Sequence, residues 1–381
     1  MDSIDNAWSS FCLDEHNYDI DNIKDDIFVT DDTESNINET TKCSSLNIST
    51  KTKISYLNYP IDLNDVFWNI PITSYYKPSE GVIKKQMKFN SNSQKEVNDI
   101  LNHKKDYSFV DDFIISQVHN TDGRNKFKDV RKISIGICKK DIISYRSKQK
   151  SAFYNCFVVI LRLLHNDAYK ELHVKVFNTG KLEIPGIQDS TILNKTLSLL
   201  VNILTPFIKT KDGIPLTFLN NRTETVMINS NFNCGYYINR ENMYNILKYK
   251  YKINSNFDPC SYPGIQCEFY YDLTKTIDEQ NGIYQQHNDK NNKLNKKNKK
   301  NIINHNVVKV SFMVFRTGSV LIVGKCSEEI LYNIYNFLCN IFIVEKQEII
   351  SSNINIKPTQ ERNDLIKKVH KKIIYIETIS L

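Results

Sequence analysis

Residues 176–186 read VFNTGKLEIPG, and residues 314–324 read VFRTGSVLIVG. Both stretches carry the pattern Val-Phe-x-Thr-Gly, then two apolar core positions and a glycine, and the second copy lies 138 positions after the first (315 minus 177). Each copy follows a run of alternating residues, at 172–176 and 308–314. Because Thr-Gly is a hairpin-turn signal between alternating runs, each copy predicts a strand, a turn and a second strand. The fold is therefore built on one hairpin used twice.

A helix is predicted after each hairpin, because apolar residues recur there at intervals of three and four. The first helix follows Asp189 and Ser190 as candidate caps, and the second follows Ser327. The apolar positions are Ile192, Leu193, Thr196, Leu197, Leu200, Ile203 and Leu204 in the first, and Ile330, Leu331, Ile334, Tyr335, Leu338 and Ile341 in the second. A helix of this kind packs on one face of an antiparallel sheet and leaves the other face open.

Upstream segments also correspond, so the unit of strand, helix, several strands and helix is expected twice. In the first half a strand is predicted over 67–73, and in the second half a strand over 225–237 precedes a helix over 239–251. The arrangement of residues 74–150 is left open. The predicted fold class is α+β, with two tandem pseudo-repeats that form one curved antiparallel sheet and carry their helices on its back.

Composition divides the chain into four parts. Residues 1–55 are rich in Asp, Asn, Ser and Thr and are expected to be a disordered acidic leader. The first repeat is assigned to 56–207 with inserted material, and the second repeat to 216–345. A Lys/Asn-rich loop insertion is expected at 281–306, and a basic tail at 346–381.

The charge is unevenly distributed along the 381 residues. Residues 1–50 hold twelve Asp or Glu against two Lys, so with a whole-chain net charge of +7 the remainder carries about +17. A basic body suits a polyanionic partner, because each neutralised phosphate releases counterions. The alternative is ordinary solvated surface lysine.

Several classes of function are disfavoured by the sequence. No run approaches the ~18 apolar residues of a membrane-spanning helix, and no secretory signal is evident, so an intracellular, soluble protein is expected. The nine cysteines and eight histidines form no metal-ligand spacing, and no catalytic carboxylate cluster appears. We therefore expect no cofactor, no metal, no small-molecule substrate and no enzymatic activity.

Four stretches give the sequence a resemblance to a known family. Residues 257–265, FDPCSYPGI, resemble the aromatic-acid-Pro-x-x-Phe-Pro-Gly stretch of TATA-box-binding proteins. Residues 312–318, FMVFRTG, resemble that family's Leu-Ile-Phe-x-Ser-Gly hairpin, and residues 152–162 and 176–186 occupy the equivalent places in the first half. The chain is particularly similar to the TATA-binding-protein-like proteins of large nucleocytoplasmic DNA viruses, over roughly 65–207 and 220–345.

The resemblance implies a saddle whose concave sheet lies in the minor groove of A·T-rich DNA, with helices on the convex face. Aromatic wedges then pry apart base steps and bend the duplex, as this family does in the general account of minor-groove binders. Carried over residue by residue, the wedges are Phe177, Phe315, Tyr262 and, in the first half, either Phe153 or Phe157. Base-edge or groove-floor positions are Asn69, Asn229 (with Met227 as its alternative), Met313, Leu321 and Val323. Phosphate contacts are Arg162, Lys181, Arg316 and Lys325.

Strand alternation predicts that the two halves differ on their open faces. In the first half Lys175, Phe177, Lys181 and Glu183 share that face, whereas in the second half Phe315 shares it with Met313, Leu321 and Val323. An apolar open face is unusual in a soluble protein unless a partner covers it. We therefore expect the second half to grip DNA in the family manner and the first half to grip it less tightly or to read another element.

The expected function is that of a transcription initiation factor that binds promoter DNA and recruits a transcription factor IIB-like protein and RNA polymerase. It would act at sites of transcription, in the host nucleus, a cytoplasmic viral factory or the virion. The alternative is a protein-interaction factor that has kept the fold and lost TATA-specific DNA binding, which Glu183 and Glu268 favour and the basic body opposes.

Overall fold

The computed structural model describes residues 42–120, 127–143, 153, 155–210, 213–284 and 306–351. Its strands form one antiparallel sheet of twelve strands with helices, which confirms the α+β class. The chain divides into two compact units. The first-repeat unit contains residues 48–230 and 323–325, and the described part of the second-repeat unit contains 42–47, 231–322 and 326–351. The strands over Glu224–Asn233 and Ser319–Gly324 are each divided between the two units.

The first-repeat unit holds strands in the order β3-β4-β2-β5-β6-β7-β1-β8. The strands are β1 (Asn47–Tyr56), β2 (Gly81–Ser91), β3 (Val110–His119), β4 (Phe127–Gly136), β5 (Cys156–His165), β6 (Ala168–Phe177), β7 (Lys181–Ile187) and β8 (Glu224–Asn233). The helices are α1 (Leu63–Asn69), α2 (Gln94–Lys104), α3 (Lys139–Ile143) and α4 (Ser190–Leu204), with 3-10 turns at Thr205–Phe207 and Asn220–Arg222.

The second-repeat unit holds strands in the order β12-β11-β10-β9. The strands are β9 (Asn254–Asn256), β10 (Ile265–Asp272), β11 (Val307–Val314) and β12 (Ser319–Gly324). The helices are α5 (Arg240–Asn245, which continues as a π-helical turn over Ile246–Lys250), α6 (Glu328–Val344) and α7 (Lys346–Ile349), with a 3-10 turn at Ile277–Glu279.

The two predicted long helices begin and pack as expected. Asp189 accepts a hydrogen bond from the backbone N–H of Ile192 at 2.8 Å, and Ser327 accepts one from Ile330 at 3.3 Å, so each is an N-cap. The apolar stripe of α4 lies in one core with residues of β5, β6 and β7. Helix α6 covers β10, because the Phe337 ring lies 5.1 Å from that of Phe269.

The same backbone frame occurs in both units. In the first, Leu57 donates to the carbonyl of Gly180 at 2.8 Å, and Ile61 donates to that of Asn178 at 2.8 Å. The second repeats these bonds at equivalent places, from Cys234 to Gly318 at 3.0 Å and from Ile238 to Arg316 at 2.9 Å. The internal repeat therefore extends to the strand and helix that precede each hairpin.

The structure corrects part of the secondary structure predicted for the first half of the chain. The first strand is β1, which lies inside the segment expected to be disordered, and residues 67–73 are not a strand. Phe67 instead belongs to α1, whose N-cap Asp62 accepts hydrogen bonds from Asn64 and Asp65, and its ring is fully buried. The aromatic residues of this segment favour a strand, but the cap and core packing decide for a helix. Residues 1–41, 285–305 and 352–381, with most of the predicted leader, insertion and tail, lie outside the described residues.

The segment 74–150 extends the sheet of the first repeat. Strand β2 pairs with β5, and the hairpin β3–β4 is added beside β2 by antiparallel pairing of β2 with β4. In the described ranges the second repeat has only the short β9 beyond β10. Helices long and apolar enough to cross a membrane do not occur within the described residues.

Candidate nucleic-acid interface

The open face of the second-repeat unit is the sheet face opposite α6. On β10, Phe269 and Tyr271 are buried toward that helix, where Asn333 donates to the Tyr271 hydroxyl at 3.0 Å. Because side chains alternate along a strand, Gln266, Glu268 and Tyr270 point to the opposite face. The register places three β11 residues opposite them, Met313, Ser311 and Lys309 in that order, and places Asn256 and Asn254 of β9 opposite Gln266 and Glu268.

Two predicted wedges of this unit contact each other. The rings of Tyr262 and Phe315 have centroids 6.0 Å apart at 59°, and both residues are half-buried. Gly264 permits this approach, since a Cβ there would lie 3.0 Å from the Phe315 ring and 3.1 Å from the Tyr262 ring. The Tyr262 hydroxyl donates to the Met313 sulfur at 3.4 Å. The polar atom that distinguishes this tyrosine from phenylalanine is therefore satisfied inside the protein.

The expected groove floor is less accessible than alternation suggested. Met313, which accepts the Tyr262 hydrogen bond, is only 3% exposed, and Val323 is also buried. Leu321 is half-buried. The prediction of a bare apolar surface at Met313 and Val323 is therefore wrong, and the accessible apolar groups are the aromatic pair and Leu321.

The outer strands of this face carry a polar cluster instead. Glu268 accepts hydrogen bonds from Lys309 at 2.5 Å, from the Tyr270 hydroxyl at 2.7 Å and from Asn254 at 2.7 Å. Burial alone raises the pKa of Glu268, but these hydrogen bonds outweigh it and hold the pKa below its ordinary value. The cluster borders a shallow depression of about 190 Å³ lined by Asn254, Asn256, Gln266, Cys267, Glu268 and Ser311.

The open face of the first-repeat unit carries the charges that the sequence predicted. Lys175 and Glu183 form an ion pair at 3.0 Å, so Glu183 is neutralised by its neighbour. Phe177 is half-buried, and the Lys181 ammonium lies 5.3 Å from its ring. The ammonium of Lys175 lies 5.7 Å from the ring of Phe153. Both candidate wedges of this unit are thus engaged in cation–π contacts.

Burial excludes one of the two first-half alternatives, Phe153 and Phe157. Phe157 is fully buried and its ring lies 6.3 Å from that of Phe67 in the core beneath the helices, so its assignment as a wedge is wrong. Phe153 is 54% exposed. The sequence had left both open because spacing within the motif does not decide between them.

Arg162 is not placed to bind phosphate. Its guanidinium donates to the backbone carbonyls of Tyr75 at 2.7 Å, Ser79 at 2.9 Å and Lys77, and the residue is only 6% exposed. The loop at 74–79 therefore folds onto the open-face side of β5 and occupies this arginine. The phosphate contact predicted for Arg162 is corrected to a structural role in the first-repeat unit.

The base-edge assignment of Asn69 is also wrong. It lies in α1, where its amide donates to the Asp65 carbonyl at 2.8 Å and to the Asp65 carboxylate at 3.0 Å. In β8, Asn229 is half-buried between the buried Ile228 and Ser230, and Met227 is half-buried too. Since Leu57 and Cys234 are equivalent in the repeated frame, the first-repeat counterpart of Asn229 is Thr52 of β1. The sequence signal for Thr52 was the alternation that ends in the apolar residues Ile54 and Tyr56. This pattern is weak because most of the other residues of β1 are Ser, Thr and Lys.

The three remaining basic candidates differ in exposure. Arg316, in the turn after Phe315, and Lys325, just after β12, are exposed, and Lys181 is half-buried over Phe177. Within the described residues no group of three or more His, Cys, Asp or Glu is arranged to hold a metal ion.

Comparison with known proteins gives one viral relative. No family model matches the chain. A protein described as "TATA-box-binding protein-like" from Acanthamoeba polyphaga mimivirus is 24% identical over 210 residues, which make up 52% of this chain and 51% of that protein. The chain thus spans about half the length of this relative. A solved structure of Methanococcus jannaschii TBP covers 79% of this chain and 99% of its own, with 12% identity and a TM-score of 0.36. The predicted resemblance to TATA-box-binding-protein-like proteins is confirmed by the viral relative.

Proposed function

We propose that this chain is a transcription factor similar to TATA-box-binding protein, which binds double-stranded DNA through the open face of its sheet and bends it. It carries out no covalent chemistry. The observation that carries the proposal is the repeated placement of Phe177 and Phe315. Each begins a turn in which a glycine N–H donates to the phenylalanine carbonyl, at 3.0 Å in the first unit and 3.1 Å in the second. An aromatic ring held at the same turn in both repeats, and not buried by either core, suits a wedge for base steps.

The second-repeat unit provides the stronger grip in this proposal. Its aromatic pair, Tyr262 and Phe315, rests on Met313 and lies beside the exposed Arg316, so an apolar wedge and a phosphate contact are adjacent. In the first-repeat unit the equivalent face carries the pair Lys175–Glu183, and the loop at 74–79 occupies Arg162. Bound at a promoter, the chain would recruit a transcription factor IIB-like protein and RNA polymerase at the sites of transcription.

The test is a salt titration of full-length protein on an A·T-rich duplex, followed by fluorescence anisotropy, with donor and acceptor dyes at the duplex ends to report bending. We expect log K to fall linearly with log salt, with a slope of about −0.9 for each phosphate contacted. We also expect energy transfer between the duplex ends to rise on binding, because wedging shortens the end-to-end distance. Binding that is insensitive to salt, or no binding at 50 mM salt, refutes the proposal.

A second candidate is a protein-interaction factor that uses the same fold without DNA. Glu183 and Glu268 favour this candidate. Each carboxylate forms an ion pair with a lysine on the open face, so these lysines add no net positive charge with which that face could attract DNA. In that case the duplex titration fails, and purification from infected or expressing cells yields a protein partner whose binding Phe315→Ala weakens.

A further inference from the structure

The outer open face of the second-repeat unit presents a preorganised hydrogen-bond acceptor. Glu268 lies there with two carboxylate oxygens that together offer about four lone-pair sites. Three sites are used by Lys309, Tyr270 and Asn254, at 2.5, 2.7 and 2.7 Å. The three donors fix the orientation of the carboxylate, and by this count one site remains. Glu268 lines the same depression as Asn256, Gln266 and Ser311.

The chemistry of the minor groove decides what such an acceptor can recognise. A·T and T·A pairs present only the acceptors adenine N3 and thymine O2, whereas a G·C pair adds one donor, the 2-amino group of guanine. A carboxylate therefore repels the edge of an A·T pair and matches a G·C pair. At neutral pH Glu268 is ionised, because the hydrogen bonds from its neighbours keep its pKa below the ordinary value, so it can only accept.

We propose that Glu268 accepts a hydrogen bond from the 2-amino group of guanine, so that the second-repeat unit selects a G·C pair within an otherwise A·T-rich element. This inference rests on the proposed binding of duplex DNA by the open face. The aromatic pair Tyr262–Phe315 lies at the hairpin end of the same face, and Glu268 lies two residues beyond Gln266, the partner of Met313 in the register. The selected pair is thus flanked on one side by the wedged step.

The nearby amides fit the remainder of such a site. Asn256 and Gln266 lie opposite each other in the register, and each side-chain amide carries donors that can serve the acceptors of neighbouring A·T pairs. The ion pair with Lys309 leaves Glu268 electrically compensated, which reduces the repulsion between the carboxylate and the phosphates.

The experiment compares three duplexes that differ in one base pair, scanned along an A·T-rich sequence. The pair is A·T, G·C or I·C, and inosine lacks the 2-amino group that guanine carries while keeping its remaining edge. We expect the full-length protein to bind the G·C duplex about tenfold more tightly than the A·T and I·C duplexes at one position, the size typical of a hydrogen bond to a charged group.

Two variants locate the acceptor. Glu268→Met removes both carboxylate oxygens with little change of side-chain length, and should reduce the ratio between G·C and I·C to about one. The matched control is Glu183→Met, which alters the lysine-paired carboxylate of the first-repeat unit and should leave the ratio unchanged.

The outcomes separate this inference from the proposed function. If the wild-type protein binds all three duplexes equally at every position, the inference is overturned while duplex binding stands. Retention of the G·C preference by Glu268→Met also overturns it, because methionine has no oxygen acceptor and another group must then accept the hydrogen bond. Failure to bind any duplex overturns the proposed function itself.

Discussion

The Lys85 ammonium donates a hydrogen bond of 2.8 Å to the carbonyl oxygen of Ile70, the C-cap residue that follows α1. A second bond of 3.1 Å reaches the carbonyl of Trp68, and the Tyr107 ring lies 4.4 Å away. The lysine is fully buried. The helix end is thus held by a cation that faces carbonyl dipoles and an aromatic ring, and its hydrogen-bond partners among the described residues include no carboxylate.

This burial predicts an unusual dependence of stability on pH. Desolvation lowers the pKa of Lys85 from 10.5 to about 7, so between these values the unfolded chain binds more protons than the folded one. Unfolding free energy should therefore rise with pH, relative to the variant Lys85→Met, by up to about 1.4 kcal/mol per unit between pH 7 and 9. Denaturant titrations at both pH values measure it. Lys88→Met on the same strand is the control, and parallel profiles for wild type and Lys85→Met contradict the prediction.

The two hairpin aromatics should contribute unequally to DNA binding. Phe315 packs beside Tyr262 on an apolar support, whereas Phe177 lies under Lys181 on a face that also holds the Lys175–Glu183 pair. We expect Phe315→Ala to weaken binding to an A·T-rich duplex about tenfold or more, and Phe177→Ala to weaken it less. Loss of one wedge should reduce the binding free energy by a few kcal/mol at most. Anisotropy titrations at one salt concentration compare them. A larger loss for Phe177→Ala means that the asymmetry is reversed.

Alanine at Arg162 should change fold stability only, and alanine at Arg316 should change the salt dependence of DNA binding only. Arg162→Ala leaves the carbonyls of Tyr75, Lys77 and Ser79 without their donor, so it should destabilise the fold by roughly 2 kcal/mol or more without changing the salt dependence of DNA binding. Arg316→Ala should leave stability unchanged and reduce the slope of log K against log salt by about 0.9. Thermal unfolding and salt titrations of both variants measure these changes. If Arg162→Ala also reduces this slope, Arg162 contacts a phosphate after all and its purely structural role is wrong.

Gly318 should be intolerant of any side chain. Its φ is +80°, and a Cβ would lie 2.3 Å from the carbonyl oxygen of Tyr236. Gly213 also has a positive φ, +69°, but a Cβ there meets nothing within 4 Å. Gly213→Ala should therefore cost only the backbone strain of about 1 kcal/mol, whereas Gly318→Ala should cost about 3 kcal/mol or more. Equal losses in denaturant titrations indicate that the hairpin can move away from Tyr236.

The sequence predicted the elements whose periodicity is strong. Both hairpins, α4, α6 and the α+β class are confirmed, because their apolar residues are spaced by packing on a shared core. Strand β1 was missed because its Ser, Thr and Lys residues resemble the polar leader before it. Helix α1 was missed because Phe67 and Trp68 favour strands, and only Asp62 at its N-cap signals a helix.

The sequence predicted which residues lie on the open face better than it predicted how exposed they are. Alternation placed Phe315 and Glu183 on the open face, but it could not show that Tyr262 covers Met313 or that Lys175 neutralises Glu183. The capture of Arg162 depends on a loop more than 80 residues earlier in the chain, at Ser79. Contacts of that range have no signature in local spacing.

The duplicated backbone bonds around Gly180 and Gly318 involve main-chain atoms alone. The side chains of Asn178 and Arg316, whose carbonyls accept two of these bonds, can therefore be exchanged without removing them. That freedom lets the two repeats carry different side chains around one shared backbone arrangement. An engineer could accordingly retune one half for a new target and keep the other as an unaltered anchor.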